Sequence, residues 1–218
     1  MKIQDLPSIV PVFPLEAPLL LPGTVVPFVA AEPRYVQLVE DALAADGYVG
    51  ILQPMEADGR LGRSGSDPEL YTVGCLGRIG ETSEDDEGEL LVLAAGVVRF
   101  RIVRVLPGEH GYLQALVDYS EFLNDFDEIE SDLQFSMLRE LVRQRIETHH
   151  TEFDLSIMEG MAGTEIVTAI AHALPLSSAE RQVLMETSHL RELESVLLLL
   201  MAGPGGLPSF DHVPHLPS

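Results

Sequence analysis

The pattern of apolar and polar positions changes near residue 120. Before it, short β-branched and aromatic runs are broken by proline, glycine and polar clusters; beyond it, apolar residues recur at helical spacing. The first part therefore reads mainly as strands. "IVPVF" (9–13) and "TVVPFV" (24–29) come first. A helix follows over 33–47: Pro33 takes the first helical position, Tyr35, Val36, Leu38, Val39, Ala42 and Leu43 are apolar, and Gly47 closes it. "YVGILQ" (48–53) reads as a short buried strand, and the glycine-rich stretch 59–69 as a polar loop. Strands over 70–81 and 89–106 are joined through "TSEDDEG", with Gly88 at the hairpin tip. Gly96 is expected to split the second of these in two. After it, Val98, Phe100, Ile102 and Val103 alternate with Arg99, Arg101 and Arg104, which predicts a two-faced strand with an arginine side. A last strand covers 111–119. Several short strands with one helix predict a small, partly closed barrel.

Residues 12–31, "VFPLEAPLLLPGTVVPFVAA", have the length and polarity of a membrane span, with Glu16 as their one charge. Four prolines (Pro14, Pro18, Pro22 and Pro27) exclude that reading, because each costs about 3 kcal/mol inside a helix. Two β segments joined by a turn fit instead. Pro22-Gly23 suits a type II turn, and Pro27 predicts an edge strand or a bulge.

Beyond residue 120, an acidic joint over 118–132 carries seven carboxylates. A helix over 131–150 places Leu138, Leu141, Val142 and Ile146 on one face, and another over 164–174 does so with Ile166, Val167, Ile170 and Leu174. Ser177 and Glu180 are spaced as a capping box. A last helix starts near Ser188 and stops at Gly203-Pro204. Short connections predict an antiparallel bundle. The organisation expected is α+β: a β barrel with one helix over 1–120, a helical bundle over 121–203, and a Pro/Gly-rich tail over 204–218.

Composition narrows the partners. The formal net charge is −22, from 35 acids against 13 bases. Such a balance opposes a phosphate backbone or an anionic membrane surface, so neither nucleic acid nor membrane is expected as a partner. Cys75 is the single cysteine, which predicts a reducing compartment or one where disulfides are not needed, and the location expected is the cytoplasm. "MKIQDLPSIV" lacks the apolar run of a secretory signal.

No catalytic constellation emerges. Lys2 is the only lysine, there is no GxxxxGK, and a Ser–Lys dyad has no suitable lysine. "GRSGSD" places its second glycine one residue too early for GxSxG. Cys75 lies within a strand with no nearby histidine and reads as a buried small hydrophobe. His149 and His150 project about 100° apart on a helix, so with Glu152 they make a poor metal site. His212 and His215 lie in the tail. The acidic runs lack calcium-loop spacing and read as solvated turns; Asp85 and Asp86 share an exposed turn that does not push their pKa values apart. Neither a metal nor a cofactor is expected.

Four strings in order resemble the N-terminal domain of Lon proteases. "PVFPLEAPLLLPGTVVPFVAAEPRYVQLVEDAL" resembles its opening. "DPELYTVGCLGRI" is similar to the family's LYxVGTxARI segment, with Cys75 where threonine is common, and "GELLVLAAGVVRFRI" to its GxxxVLVxGxxRxRI segment. The closing helices keep the E-x-Q-x-L-L-E theme as Glu180, Gln182, Leu184, Met185 and Glu186. The resemblance spans residues 9–201. It implies a PUA-like β pseudobarrel followed by a helical bundle, and a domain that binds apolar or unfolded polypeptide segments. With no P-loop and one lysine, the expectation is a free-standing, non-catalytic binding module that serves protein quality control. Its partners would be polypeptide substrates or a separate protease or unfoldase, with a homo-oligomer left open. The candidate contact surface is Leu19, Leu20, Leu21 and Phe28, because three consecutive leucines in a strand cannot all face one core. Two alternatives stand beside it. One is a small-molecule or RNA-binding module, RNA requiring a localised arginine face around Arg78, Arg99, Arg101 and Arg104; the other is a peptidase-associated subunit acting with a separate ATPase or protease.

Overall fold

The computed structural model describes residues 3–55, 68–84, 89–108, 110–130, 135–149, 160–174 and 176–202. Most of the glycine-rich loop, the acidic hairpin tip with Asp85 and Asp86, His150, Glu152 and the tail with His212 and His215 lie outside them. The strands are β1 (Ile9–Pro14), β2 (Val25–Ala30), β3 (Tyr48–Leu52), β4 (Val73–Glu84), β5 (Leu90–Pro107) and β6 (Leu113–Asp118). Helix α1 (Pro33–Ala44) lies between β2 and β3. After β6 come a 3-10 turn (Ser120–Phe122) and helices α2 (Asp125–Glu130), α3 (Ser136–His149), α4 (Gly163–Ala173), α5 (Ser178–Met185) and α6 (Leu193–Met201). None of the described helices is long and apolar enough to cross a membrane.

The sheet is mixed. Its order is β2-β5-β4-β3-β1-β6, and β6 also pairs with β5, so five strands form a ring with β2 outside it. β1 and β3 run parallel; the other pairs are antiparallel. β5 makes the ring possible because it is 18 residues long: its first half holds β2 and its second half holds β6. Gly96 does not split this strand, as its sequence predicts, but marks a bulge. Leu76 pairs with Val98 and Gly77 with Gly96, leaving Val97 as the extra residue. The bulge has a partner. A Cβ on Gly96 would lie 2.1 Å from the Leu21 carbonyl oxygen, so only glycine lets the Leu19–Leu21 loop lie on the sheet.

That loop ends in the turn expected at Pro22-Gly23. Gly23 has φ +81°, and the Thr24 N–H donates to the Leu21 carbonyl over 3.1 Å. The turn is tied to the bulge by two reciprocal bonds, Gly23 N–H to Gly96 O (2.9 Å) and Gly96 N–H to Thr24 O (2.8 Å). Pro27 lies in the outermost strand, where its missing N–H costs no ladder bond between central strands.

In the second part, α3, α4 and α5 pack on α6. The capping box opens α5 as its spacing predicts: Ser177 Oγ accepts the Glu180 N–H (3.2 Å), and Glu180 Oε2 accepts the Ser177 N–H (2.8 Å). One buried apolar cluster runs through both parts, from Val10 in the ring to Met201 at the end of α6. The acidic joint differs from its prediction as a solvated turn. It contains α2, and two of its carboxylates, Asp125 and Glu128, are buried.

Candidate functional site

The residues expected to form a contact surface are interior. Leu19, Leu20, Leu21 and Phe28 are each at most 3 % exposed. The expectation fails because residues 15–24 are not a strand, so side-chain alternation does not constrain them and all three leucines turn inward. Leu20 covers two glycines of the sheet: a Cβ on Gly77 or Gly96 would come within 3.1 or 3.2 Å of its methyl carbons. Phe28 packs against Phe13 with ring centroids 4.3 Å apart and the rings tilted by 42°.

The apolar surface lies on the opposite face of β2. Val25 is 59 % exposed and Val29 41 %, with Pro27 exposed between them. Their cross-strand partners Ala95, Leu93 and Leu91 share that face and are half-buried. Alternation does hold in β2, which is a true strand: Val26, Phe28 and Ala30 face in, and Val25, Pro27 and Val29 face out.

A groove of about 370 Å³ opens between α1 and the paired stem of β4 and β5. Val36, Val39, Glu40 and Leu43 form the helical wall, at the spacing of one helix face. Ala30, Leu90 and Glu84 are successive cross-strand partners, so their side chains stand on one face of the sheet and form the floor. Thr82, Glu89 and Ala31 complete it. Among the described residues, every charged one lining this groove is a glutamate. The sequence carried a signal for it: the apolar positions of α1 include Val36 and Leu43, more than its core face of Tyr35, Leu38, Val39 and Ala42 needs.

Between the ring and the helices lies a polar seam that the sequence did not disclose. Arg99 is wholly buried. Its Nε and Nη2 donate to Asp125 Oδ2 (3.1 Å) and Oδ1 (2.6 Å), and its backbone N–H donates to Asp125 Oδ2 (3.0 Å). Its Nη1 donates to the carbonyls of Met185 (3.2 Å) and Thr187, and its guanidinium lies 4.6 Å from the Phe122 ring centre. Glu128 accepts from the Leu190 N–H (2.5 Å) and from Arg191 Nη2 (2.7 Å), and pairs with His189 Nδ1 (2.9 Å). Burial opposes its charge, but the bonds from Arg191, Leu190 and His189 outweigh burial and hold the carboxyl below its ordinary range. Gln182 of α5 donates to the Val73 carbonyl of β4 over 3.1 Å.

The arginine side expected on β5 is therefore not one basic face. Arg99 is interior, Arg101 forms a bidentate pair with Glu121 (2.7 and 2.8 Å), and Arg78 lies over the Tyr48 ring. Cys75 is fully buried, and burial, with Asp125 nearby, pushes its thiol pKa up, away from nucleophilic thiolate character. Among the described residues no group of three or more His, Cys, Asp or Glu side chains is placed to hold a metal ion.

Known proteins resemble this chain along almost its whole length. Lon protease 2 of Myxococcus xanthus is 27 % identical over 211 residues, covering 91 % of this chain and 24 % of that protein. The Lon protease of Anaeromyxobacter dehalogenans is 25 % identical, covering 91 % and 23 %. The chain thus spans about a quarter of the length of the curated relatives it matches. Two solved structures share the fold. The N-terminal domain of the Mycobacterium avium complex Lon protease has a TM-score of 0.63 at 18 % identity, covering 90 % of this chain and 99 % of that one. A Lon N-terminal domain protein from Xanthomonas campestris has a TM-score of 0.58 at 23 % identity, covering 88 % and 97 %. Residues 9–202 match the model of the ATP-dependent protease La (LON) substrate-binding domain, and the chain belongs to that family.

Proposed function

We propose that the chain is a non-catalytic module that binds apolar segments of unfolded polypeptides, in the cytoplasm, as part of protein quality control. On this reading the ring is a PUA-like pseudobarrel over residues 1–120, and the helices over 121–203 are a bundle that buttresses it. The observation that carries the proposal is the exposed apolar face of β2, with Val25, Pro27 and Val29 backed by Leu91, Leu93 and Ala95. A contiguous apolar surface on an outermost strand is a common platform for polypeptide contact. The family's description as a substrate-binding domain supports the same direction. A separate protease or unfoldase is the partner that would use what the module holds.

The test is fluorescence anisotropy with a labelled, chemically denatured model protein and the folded form of the same protein as control. Binding of the denatured form is expected, weakened about tenfold in Val25→Ser/Val29→Ser. The two exposed changes should alter stability by less than about 0.5 kcal/mol each. Binding no stronger than to the folded control would sink the proposal.

A further inference from the structure

We propose that the groove between α1 and the β4–β5 stem is a pocket for a polypeptide segment that carries a lysine or arginine beside an apolar residue. The inference rests on the polypeptide-binding reading and names the sequence this second site would select. Its size comes first: about 370 Å³ is at the small end of ligand pockets, room for a few side chains and not for a folded partner. Its lining is divided by chemistry. Val36, Val39, Leu43, Ala30 and Leu90 supply an apolar floor and inner wall. Glu40 belongs to the helical side, Glu84 stands beside Leu90 on the sheet side and Glu89 is next to it, so carboxylates line the groove on both walls.

An apolar lining flanked by carboxylates is complementary to an amphipathic cation. Lysine and arginine have that form themselves, an aliphatic stem with a charged head, and an adjacent apolar residue would fill the remaining floor. An acidic segment would meet three glutamates in a molecule whose net charge is already −22. The overall field adds to this selection, since it attracts cationic segments and repels anionic ones before contact. The groove and the outer face of β2 lie on opposite sides of the sheet: Ala30 points into the groove, and its neighbour Val29 points away.

Three labelled peptides of equal length separate the contributions: one alternating lysine and leucine, one alternating glutamate and leucine, one alternating lysine and serine. Anisotropy with the full chain should rank the lysine–leucine peptide at least tenfold above the other two. Glu40→Gln/Glu84→Gln/Glu89→Gln should weaken it about tenfold, and Leu43→Ser should weaken it further. Val25→Ser/Val29→Ser should leave it unchanged. Circular dichroism verifies that each variant is folded. Equal binding of the glutamate–leucine peptide, or no effect of the three glutamine substitutions, overturns the proposal. Displacement by spermidine at the same concentration as by peptide also overturns it, because that ligand needs no apolar floor. If the denatured model protein binds while the peptides show no charge preference, only this inference fails. If the denatured protein does not bind at all, the broader reading fails with it.

Discussion

The interior of the β ring and the seam between the ring and the helices are both buried, but they are built from opposite materials. The ring interior is apolar, with Val10, Val12, Leu76, Val98 and Phe100 buried there, and glycines at 77 and 96 let the Leu19–Leu21 loop settle on the sheet. The seam is charged, with Arg99 on Asp125 and Glu128 receiving Leu190, His189 and Arg191. Apolar packing tolerates many arrangements of similar volume, whereas a buried charge is tolerable only where its partner sits. The seam therefore sets how the helices dock on the ring, and the ring supplies most of the apolar burial. The same contrast repeats along one strand. Arg99 and Arg101 are two residues apart, yet one pair is wholly buried and the other is 40 % and 49 % exposed.

The largest effect should come from breaking the seam. Asp125→Ala leaves the Arg99 charge buried without its carboxylate and should cost about 3–5 kcal/mol in urea unfolding. The double variant Arg99→Met/Asp125→Leu should recover most of that loss, since it removes both charges. A single variant as stable as the parent would erase the distinction between the two regions. In the apolar packing on the sheet, Leu20→Ala should cost about 3 kcal/mol by leaving a cavity over Gly77 and Gly96, with no dependence on pH.

Glu128 sharpens the comparison through pH. Its folded carboxyl titrates below its ordinary range, so the stability it contributes is complete above the unfolded value of about pH 4.3 and drains away as pH falls through the lower folded value. Glu128→Gln should cost about 2 kcal/mol at pH 7, and the gap to the parent should close toward pH 2. A gap that stays constant over that range would show that the carboxylate's charge does not hold the seam. The smallest effect belongs to Arg101→Ala, which removes an exposed pair with Glu121 and should cost less than about 1 kcal/mol, falling further in 1 M salt.

Most of the elements were legible along the chain. The strands β1, β2, β3, β5 and β6 and the helix α1 lie within a few residues of their predicted spans, because β-branched runs, Pro33 and Gly47 report local preference directly. The capping box and the Pro22-Gly23 turn were legible for the same reason: each is satisfied within four residues. The candidate site was less legible. Leu19 to Leu21 were read by an alternation rule that holds only in strands, and here they lie in a loop pressed onto β5. Arg99 and Asp125 are 26 residues apart, and nothing local distinguishes Arg99 from Arg101 or Asp125 from the other acids of its run.

The sequence by itself determined the order of the elements, that the strand with Pro27 is an edge or a bulge, and the family to which the four strings point. Only the tertiary structure decided that the three leucines are core, that Arg99 meets a buried carboxylate while Arg101 meets an exposed one, and that Val36 and Leu43 border a groove lined by glutamates. The physical reason is that periodicity tells which side of a strand or helix a residue takes. What covers that side is set by contacts between segments far apart in the chain.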